Sequence, residues 1–225
     1  LHTLHPNPFL SGTNRTVIFL MIRRPPRSTP GRTLFPNTTL RNHFREDGSA
    51  YHIVVYDSAT GRVREHRGGQ GYSSTSAWAR GQSWGLYGFT MCYRETGDAR
   101  YLARAVKSAE YILNHPNLPK DGVPYWDFDR PGEERDASAG AVIASGLLEL
   151  SEYVPHEQSR RYVRAARRIL RSLSSDRYLN AAGSAHGFLL SHSVGHKPKG
   201  SQVDVPIIYA DYYFLEALLR YRQLD

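Results

Sequence analysis

The chain has 225 residues, which is long enough for one domain, or two small ones, with a well-buried core. Hydrophobic residues make up 40% of it and charged residues 22%, a balance that disfavours a disordered chain, a collagen-like chain and a transmembrane bundle. The single cysteine, Cys92, excludes an intrachain disulfide framework and any zinc site built from several cysteines. We expect neither a metal site nor a cofactor.

The formal net charge of +8 is concentrated near the N-terminus. Residues 1–50 contain seven arginines against Glu46 and Asp47, so five of the eight excess positive charges lie there. In residues 51–225 we interpret acids and bases as alternating along helices, as on a solvated surface. The N-terminal segment lacks the aromatic platform on which single strands stack, so we expect no nucleic-acid partner.

Residues 1–40 are the first of two expected regions. This segment contains six prolines and sustains no periodicity, which predicts an irregular segment that is non-native or artefactual, or else a proline-rich linker. Its apolar run from Val17 to Ile22 is six residues long, too short for a membrane span or a secretory signal. We therefore expect no membrane association and a cytoplasmic location, or a periplasmic one if a leader was lost.

Residues 41–225 form the second region and carry regular patterns. Residues 51–56 and 62–64, joined by a polar turn, predict a short β-hairpin. Candidate N-caps at residues 73–76 predict a helix that runs to about Glu95. The next helix is expected to follow directly, because a glycine suited to ending the first helix precedes an aspartate suited to capping the second, namely Gly97 and Asp98.

The helical pattern recurs with a period of 61 residues. This step carries Thr75 to Asp136, both candidate caps, and Gly85 to Gly146, and a second step reaches a last helical pattern over residues 208–221. Repeated helix pairs predict an all-α fold of toroid or solenoid type. The connecting loops are long and rich in aromatic and ionisable residues, which favours an α/α toroid, whose loops surround a central cavity.

The densest candidate site is the segment around Arg80 and Trp84. These residues are one helical turn apart, so a guanidinium and an indole face the same way. A planar cation beside an apolar plate suits a sugar acid, and an arginine stacked on tryptophan as a structural prop explains the spacing equally well.

Four blocks in order, SAWARGQSWGLYGF, VPYWDFD, RDASAGAVIASGLLEL and DVPIIYADYYFLEALLR, resemble the C-terminal half of the unsaturated glucuronyl hydrolases, glycoside hydrolase family 88. The resemblance covers about residues 40–225. It implies an (α/α)6 toroid of the six-hairpin glycosidase type, of which this chain would form a partial barrel with a short β-hairpin. It also implies hydrolysis of 4,5-unsaturated uronyl oligosaccharides left by polysaccharide lyases, through hydration of the double bond. The unsaturated oligosaccharide is the expected partner, and the sequence does not specify an oligomeric state.

By position in these motifs, Gln70 and Arg80 would contact the substrate carboxylate, Trp84 would stack on a sugar ring, and His52 would lie near the reacting centre. The resemblance assigns the proton donor to an aspartate upstream of the hairpin, and no such residue is found before position 41. We therefore expect a truncated form that lacks the general acid and is inactive alone. A toroid cut in this way is also expected to expose apolar faces and to associate.

Other candidates have simpler explanations. Ser193 and Lys197 would contact a decorated second sugar by resemblance, although a solvated loop explains them as well. Asp127 and Asp129 are not expected to be the acid, and Asp136 is interpreted as a helix cap. Two functions remain open beside the leading one: an unsaturated rhamnogalacturonyl hydrolase, and a non-catalytic helical-repeat module that binds sugars or proteins.

Overall fold

The computed structural model describes residues 16–17 and 34–224 and is mostly helical. The expected hairpin and the five expected helices are present. In chain order the strands and α-helices are β1 Thr16–Val17, α1 Leu34–Asn42, β2 Ile53–Tyr56, β3 Val63–Arg67, α2 Ala79–Thr96, α3 Ala99–Asn114, α4 Ala137–Leu150, α5 His156–Leu173 and α6 Ile208–Arg222. None of the described helices is both long and apolar enough to cross a bilayer.

The boundary expected at residue 40 falls inside α1, which begins at Leu34. Regular structure therefore starts before the expected boundary. Within the apolar run expected from Val17 to Ile22, Val17 belongs to β1, whereas residues 18–22 lie outside the described residues.

The sheet is small and antiparallel. β2 pairs with β1 on one side and with β3 on the other, with Ile53 opposite Arg67 in the second pairing. Val54 of β2 is fully buried, whereas Val63 at the start of β3 is exposed. The sheet therefore has one central strand, β2, whose Val54 side chain is shielded from solvent.

The helices form two layers. α2, α4 and α6 lie side by side as an inner row, α3 packs behind α2, and α5 packs behind α4. Every residue of α4 is buried, which its run of small and apolar residues allows. Close approach is needed at Gly146, where an added Cβ would lie 3.1 Å from the Leu86 Cγ atom of α2.

The inner helices run parallel. Arg80 near the start of α2 pairs with Asp136 at the start of α4, and Arg94 near the end of α2 pairs with Glu149 near the end of α4. Arg220 in the last turn of α6 also pairs with Glu149. All three N-terminal ends therefore meet at one side of the molecule, which is where the candidate site lies.

Most of the expected helix ends are confirmed, and one is wrong. Gly97 adopts the left-handed conformation after α2 with φ 71°, and Asp98 and Asp136 cap α3 and α4. The predicted caps at residues 73–76 do not cap α2, which begins at Ala79 after Trp78. The Ser76 hydroxyl instead donates to the Asp127 carboxylate at 2.8 Å, so these residues tie the loop before α2 to the body.

An apolar stripe runs along the outward face of α6. It consists of four large exposed side chains at a spacing of four, three and four residues: Ile208, Tyr212, Leu215 and Leu219. This spacing places all four on one face of the helix. Among the described residues no element covers that face, which agrees with the exposed apolar surface that the sequence predicts.

We expect the chain to associate through this stripe. Replacing Ile208, Leu215 and Leu219 with glutamine should lower the mean mass in solution and leave helix content unchanged, because glutamine is a good helix former. Size-exclusion chromatography with light scattering measures the mass, and circular dichroism measures the helix content. The control variant V63Q/L224Q removes exposed apolar side chains outside the stripe. Equal masses for the triple variant and the parent chain would contradict this prediction.

Candidate functional site

The candidate site lies where the N-terminal ends of α2, α4 and α6 meet the loop of residues 191–196. Backbone N–H groups at helix N-termini carry partial positive charge, so this junction favours an anion. Arg80 in the first turn of α2 adds a full positive charge, and its side chain is only 3% exposed.

Arg80 is held by groups from two segments, the start of α4 and the 191–196 loop. Its Nη1 atom donates to Asp136 Oδ2 at 3.0 Å, to Ser138 Oγ at 3.2 Å and to the Val194 carbonyl at 2.5 Å, and its Nη2 atom donates to the Gly195 carbonyl at 3.0 Å. The Asp136 carboxylate is fully buried and also caps α4. The guanidinium therefore has a compensating charge and ties α2, α4 and the 191–196 loop together.

Gln70 reaches the same loop as Arg80. Its Nε2 atom donates to the Gly195 carbonyl at 2.6 Å, so the two side chains converge on one oxygen. The Gln70 backbone N–H donates to His52 Nδ1 at 2.9 Å. Three of the residues that the sequence predicts for the site, Gln70, Arg80 and His52, are thus brought together.

His52 is buried and its position is fixed on two sides. Its ring lies 4.3 Å from the Trp78 ring, and its Nδ1 atom also contacts the Gly68 carbonyl. A Cβ atom at Gly69, where φ is +58°, would lie 2.4 Å from Nδ1, so only glycine fits this turn. The Nε2 atom is buried and has no hydrogen-bond partner.

Burial, as the largest cause, together with the positive charges of Arg80 and His196 lowers the pKa of His52 to about 4. The imidazole is therefore neutral near pH 7. A neutral imidazole with one unpaired ring nitrogen can exchange a proton or a hydrogen bond with a bound molecule.

Trp84 lies one turn beyond Arg80 and belongs to an aromatic wall. Its ring meets Tyr213 of α6 edge to face with centroids 5.1 Å apart, and Tyr87 lies 6.4 Å away. Tyr209, one turn before Tyr213, lies under the Arg80 guanidinium at 5.3 Å. The pairs Arg80 and Trp84 on α2 and Tyr209 and Tyr213 on α6 therefore run beside each other.

The side chains of Ser193 and Lys197 are engaged in hydrogen bonds with other residues of the protein. Ser193 is fully buried, and its hydroxyl oxygen accepts the Ser138 N–H at 3.2 Å. Lys197 donates to Glu133 at 2.7 Å and also to Glu134, and its ammonium is the main cause that lowers the pKa of Glu133 to about 2. Both residues hold the loop in place, and neither has an unpaired group directed at Arg80.

The other carboxylates near the site are also occupied. Asp127 is fully buried and accepts the Tyr72 N–H at 2.9 Å and the Ser76 hydroxyl, and Asp129 accepts the Ala77 N–H. Asp136 caps α4, as the sequence predicts, and also neutralises Arg80. Within the described ranges no group of three or more His, Cys, Asp or Glu side chains could hold a metal ion.

Three further aromatic residues lie at the site and were not predicted from the sequence motifs: Trp78, Tyr209 and Tyr213. Trp78 precedes Arg80 by two residues, and Tyr209 and Tyr213 have the same four-residue spacing as Arg80 and Trp84. That shared spacing is the feature of the sequence from which Tyr209 and Tyr213 could have been predicted. The contact between the two pairs depends on how α2 and α6 pack, which residue spacing does not specify.

We expect the buried ion pair to be a large determinant of stability. In Asp136→Ala the Arg80 charge stays buried without a counter-charge, so the free energy of unfolding should fall by about 3 to 5 kcal/mol. Asp98→Ala removes a comparable helix cap with no buried charge and should cost about 1 kcal/mol. Urea denaturation of the two variants measures the difference, and equal losses would contradict a special role for the pair.

The pKa of His52 predicts a pH dependence of stability. Its folded value of about 4 lies below the ordinary 6.5, so the unfolded chain binds the proton first as the pH falls. Stability should be fully present above pH 6.5 and decline towards pH 4, with about 3 kcal/mol attributable to this group. His52→Asn should flatten the decline, whereas the exposed His156→Asn should not. Part of the decline will remain because burial also lowers the pKa of His43 to about 4.

Two curated relatives resemble most of this chain. The unsaturated glucuronyl hydrolase of Formosa agariphila is 45% identical over 191 residues, which is 84% of this chain and 47% of the relative. The unsaturated chondroitin disaccharide hydrolase of Streptococcus agalactiae is 39% identical over 185 residues, 80% of this chain and 46% of the relative. The chain thus spans about half the length of the curated relatives that it matches. No protein-family model matches it.

Solved structures give the same result. An unsaturated glucuronyl hydrolase specific for heparin superimposes with a TM-score of 0.80 at 48% identity, over 83% of this chain and 50% of that structure. The unsaturated glucuronyl hydrolase from Bacillus sp. GL1 superimposes with a TM-score of 0.76 at 35% identity, over 82% and 49%. In both sequence and structure, most of this chain is therefore similar to about half of the unsaturated glucuronyl hydrolases that it matches.

Proposed function

We propose that this chain is part of a hydrolase that removes 4,5-unsaturated uronic acids from oligosaccharides produced by polysaccharide lyases. The observation that carries the proposal is the convergence of Gln70, Arg80 and His52 beside an aromatic wall, at the joint N-terminal end of three parallel helices. Cation, helix ends and aromatic rings together suit a sugar that is also an anion.

The uronate carboxylate would be recognised by Gln70 and Arg80. Their donors are satisfied by the Val194 and Gly195 carbonyls, so a carboxylate has to replace one or both of these oxygens. Asp136 would stay paired with Arg80 and keep the guanidinium in position. Binding would therefore shift the 191–196 loop, and the site would adapt to its ligand.

The aromatic wall would bind the sugar ring. Trp84 lies one turn of α2 from Arg80, and Tyr213 of α6 meets the Trp84 ring edge to face. Both side chains are partly exposed. Sugar C–H groups pack well on aromatic faces, while the hydroxyls remain at the polar rim. This assigns the ring to Trp84 and leaves the carboxylate for Gln70 and Arg80.

The chemistry would be hydration of the enol-ether double bond. An aspartic acid protonates C4, water adds at C5, and the hemiketal that forms opens to release the next sugar. His52 would lie at this centre as a neutral imidazole. Asp127 and Asp136 each accept hydrogen bonds from protein donors, so we propose neither as the proton donor, which the family resemblance assigns to an aspartate upstream of the hairpin.

The inner row and outer helices would form half of a six-hairpin α/α toroid. Three parallel inner helices with outer helices behind two of them agree with this arrangement, as does the match to about half of each relative. We propose residues 34–225 as this partial toroid domain, located in the cytoplasm, because α1 spans the boundary expected at residue 40 and packs on the core through Leu40.

Glycosaminoglycan fragments are the proposed substrate class. The relatives are named for chondroitin disaccharides and heparin, and these names do not favour a rhamnogalacturonyl hydrolase or a non-catalytic module. A decorated second sugar would meet Lys197 only by competing with Glu133 and Glu134 for the ammonium. Contacts with sulfate through Lys197 should accordingly be weak.

We expect the 225-residue chain to bind an unsaturated chondroitin disaccharide without consuming it. Isothermal titration calorimetry measures binding, and loss of absorbance of the double bond measures turnover. Trp84→Ala should weaken binding about 10-fold, because stacking on the ring is lost.

Tyr93→Ala is the matched control. Tyr93 is also a partly exposed aromatic residue of α2, but its ring packs on Tyr153 near the other end of the helix. It should leave binding unchanged. Absence of binding by the parent chain would contradict the proposed sugar site. Clear turnover would contradict only the expectation that this chain lacks the proton donor.

A further inference from the structure

The outer helix α5 carries a stripe of arginines. It contains six arginines and one acidic residue, Glu157, so the expectation that acids and bases alternate along residues 51–225 is wrong for this helix. Five of the six are exposed and recur at intervals of four, three, one and three residues: Arg160, Arg164, Arg167, Arg168 and Arg171. At 100° per residue these five lie within one arc of about 100°, over about 16 Å of helix.

The arginine stripe has no counter-charge in the part of the chain that the structure describes. Arg161, outside the stripe, pairs with Glu110 at 2.6 Å, whereas no ion pair joins any of the five stripe residues to an acidic side chain. Like charges three and four residues apart repel and destabilise a helix. The stripe therefore costs stability, and a bound polyanion would relieve that cost.

The stripe faces away from the helical body. The buried face of α5, formed by residues such as Ala166, Ile169 and Leu173, packs towards α4, and the arginines lie on the opposite face. The candidate sugar site lies on the inner row instead, at Arg80. These are two separate surfaces of the molecule.

We propose that the arginine stripe of α5 binds an anionic polysaccharide chain bearing carboxylate or sulfate groups. Guanidinium groups match both anions with paired N–H donors, and a row of them matches a polymer that carries charges at intervals. The choice of a polysaccharide as the polyanion rests on the proposed function. The stripe would hold such a chain on the protein while the separate site acts on unsaturated ends.

Nucleic acid and membrane surfaces fit the stripe less well. No exposed aromatic residue interrupts it, since Tyr162, the aromatic residue of α5, is fully buried, so bases have no stacking surface. Its exposed arc also contains no apolar side chain that could enter a lipid interface. Charge alone is left for recognition, which a flexible sulfated or carboxylated chain satisfies.

The test uses the triple variant R160Q/R164Q/R168Q of the 225-residue chain. The probe is a fluorescent heparin-derived dodecasaccharide, with anisotropy measured at several salt concentrations. The variant should bind at least 10-fold more weakly. The magnitude of the slope of log affinity against log salt should fall by roughly two to three, because about one counterion fewer is released for each arginine contact that is lost. Glutamine preserves helix propensity, and circular dichroism verifies it.

The control is R62Q/R64Q/R222Q, which removes the same three charges from exposed positions outside α5. It should retain affinity within about twofold, because diffuse net charge contributes less than a contiguous stripe. Equal losses in both variants, or no binding by the parent chain, would overturn the proposal. Tighter binding of a duplex DNA of equal charge would assign the stripe to nucleic acid instead. Because turnover is not measured, these outcomes are independent of whether the proposed hydrolase function holds.

Discussion

The buried pair of Arg80 and Asp136 is the interaction on which the site depends. Removing a guanidinium and a carboxylate from water is costly, and the cost is offset only when both groups are paired and fully hydrogen-bonded. Here Asp136 also caps α4, and Arg80 also donates hydrogen bonds to two loop carbonyls. One pair therefore fixes the relative position of α2 and α4 and the path of the 191–196 loop.

The candidate site lies at one end of the inner helices because these helices are parallel. Parallel inner helices align their N-terminal ends, and the same parallel packing aligns Arg94 and Arg220 with Glu149 at the opposite end. Cations near helix C-termini, and the anion site that we propose near the N-termini, both agree with the direction of the helix dipoles. The two ends of the inner row therefore differ in chemistry although the helices themselves are similar in length.

Much of the fold could be predicted because its signals are local. The 61-residue period located the helix pairs, and Asp98, Asp136 and Gly97 marked helix ends through their own hydrogen bonds or backbone conformation. The start of α2 could not be predicted, since Ser76 is used by Asp127, 51 residues away. Local capping signals fail when a distant carboxylate competes for the same hydroxyl.

The site was predictable in composition and less so in arrangement. Gln70, Arg80 and His52 do converge, yet the carbonyl that joins two of them belongs to Gly195, which carries no side chain to mark it. The wall formed by Tyr209 and Tyr213 likewise depends on the packing of α6 beside α2. Contacts between residues more than 100 positions apart are set by tertiary packing. Residue spacing specifies the arrangement within one segment and not which other segment it contacts.

The two layers of helices divide the chemistry between them. The inner helices α2 and α4 are buried along most of their length, so polar groups occur there mainly as hydrogen-bonded or ion-paired groups near the helix ends. The outer helix α5 has one buried face and one solvated face, and the solvated face can hold unpaired charge at modest cost. A net charge summed over residues 51–225 hides this separation, because the acids that balance the α5 arginines lie on other elements. Charge becomes informative about partners only once it is assigned to a surface.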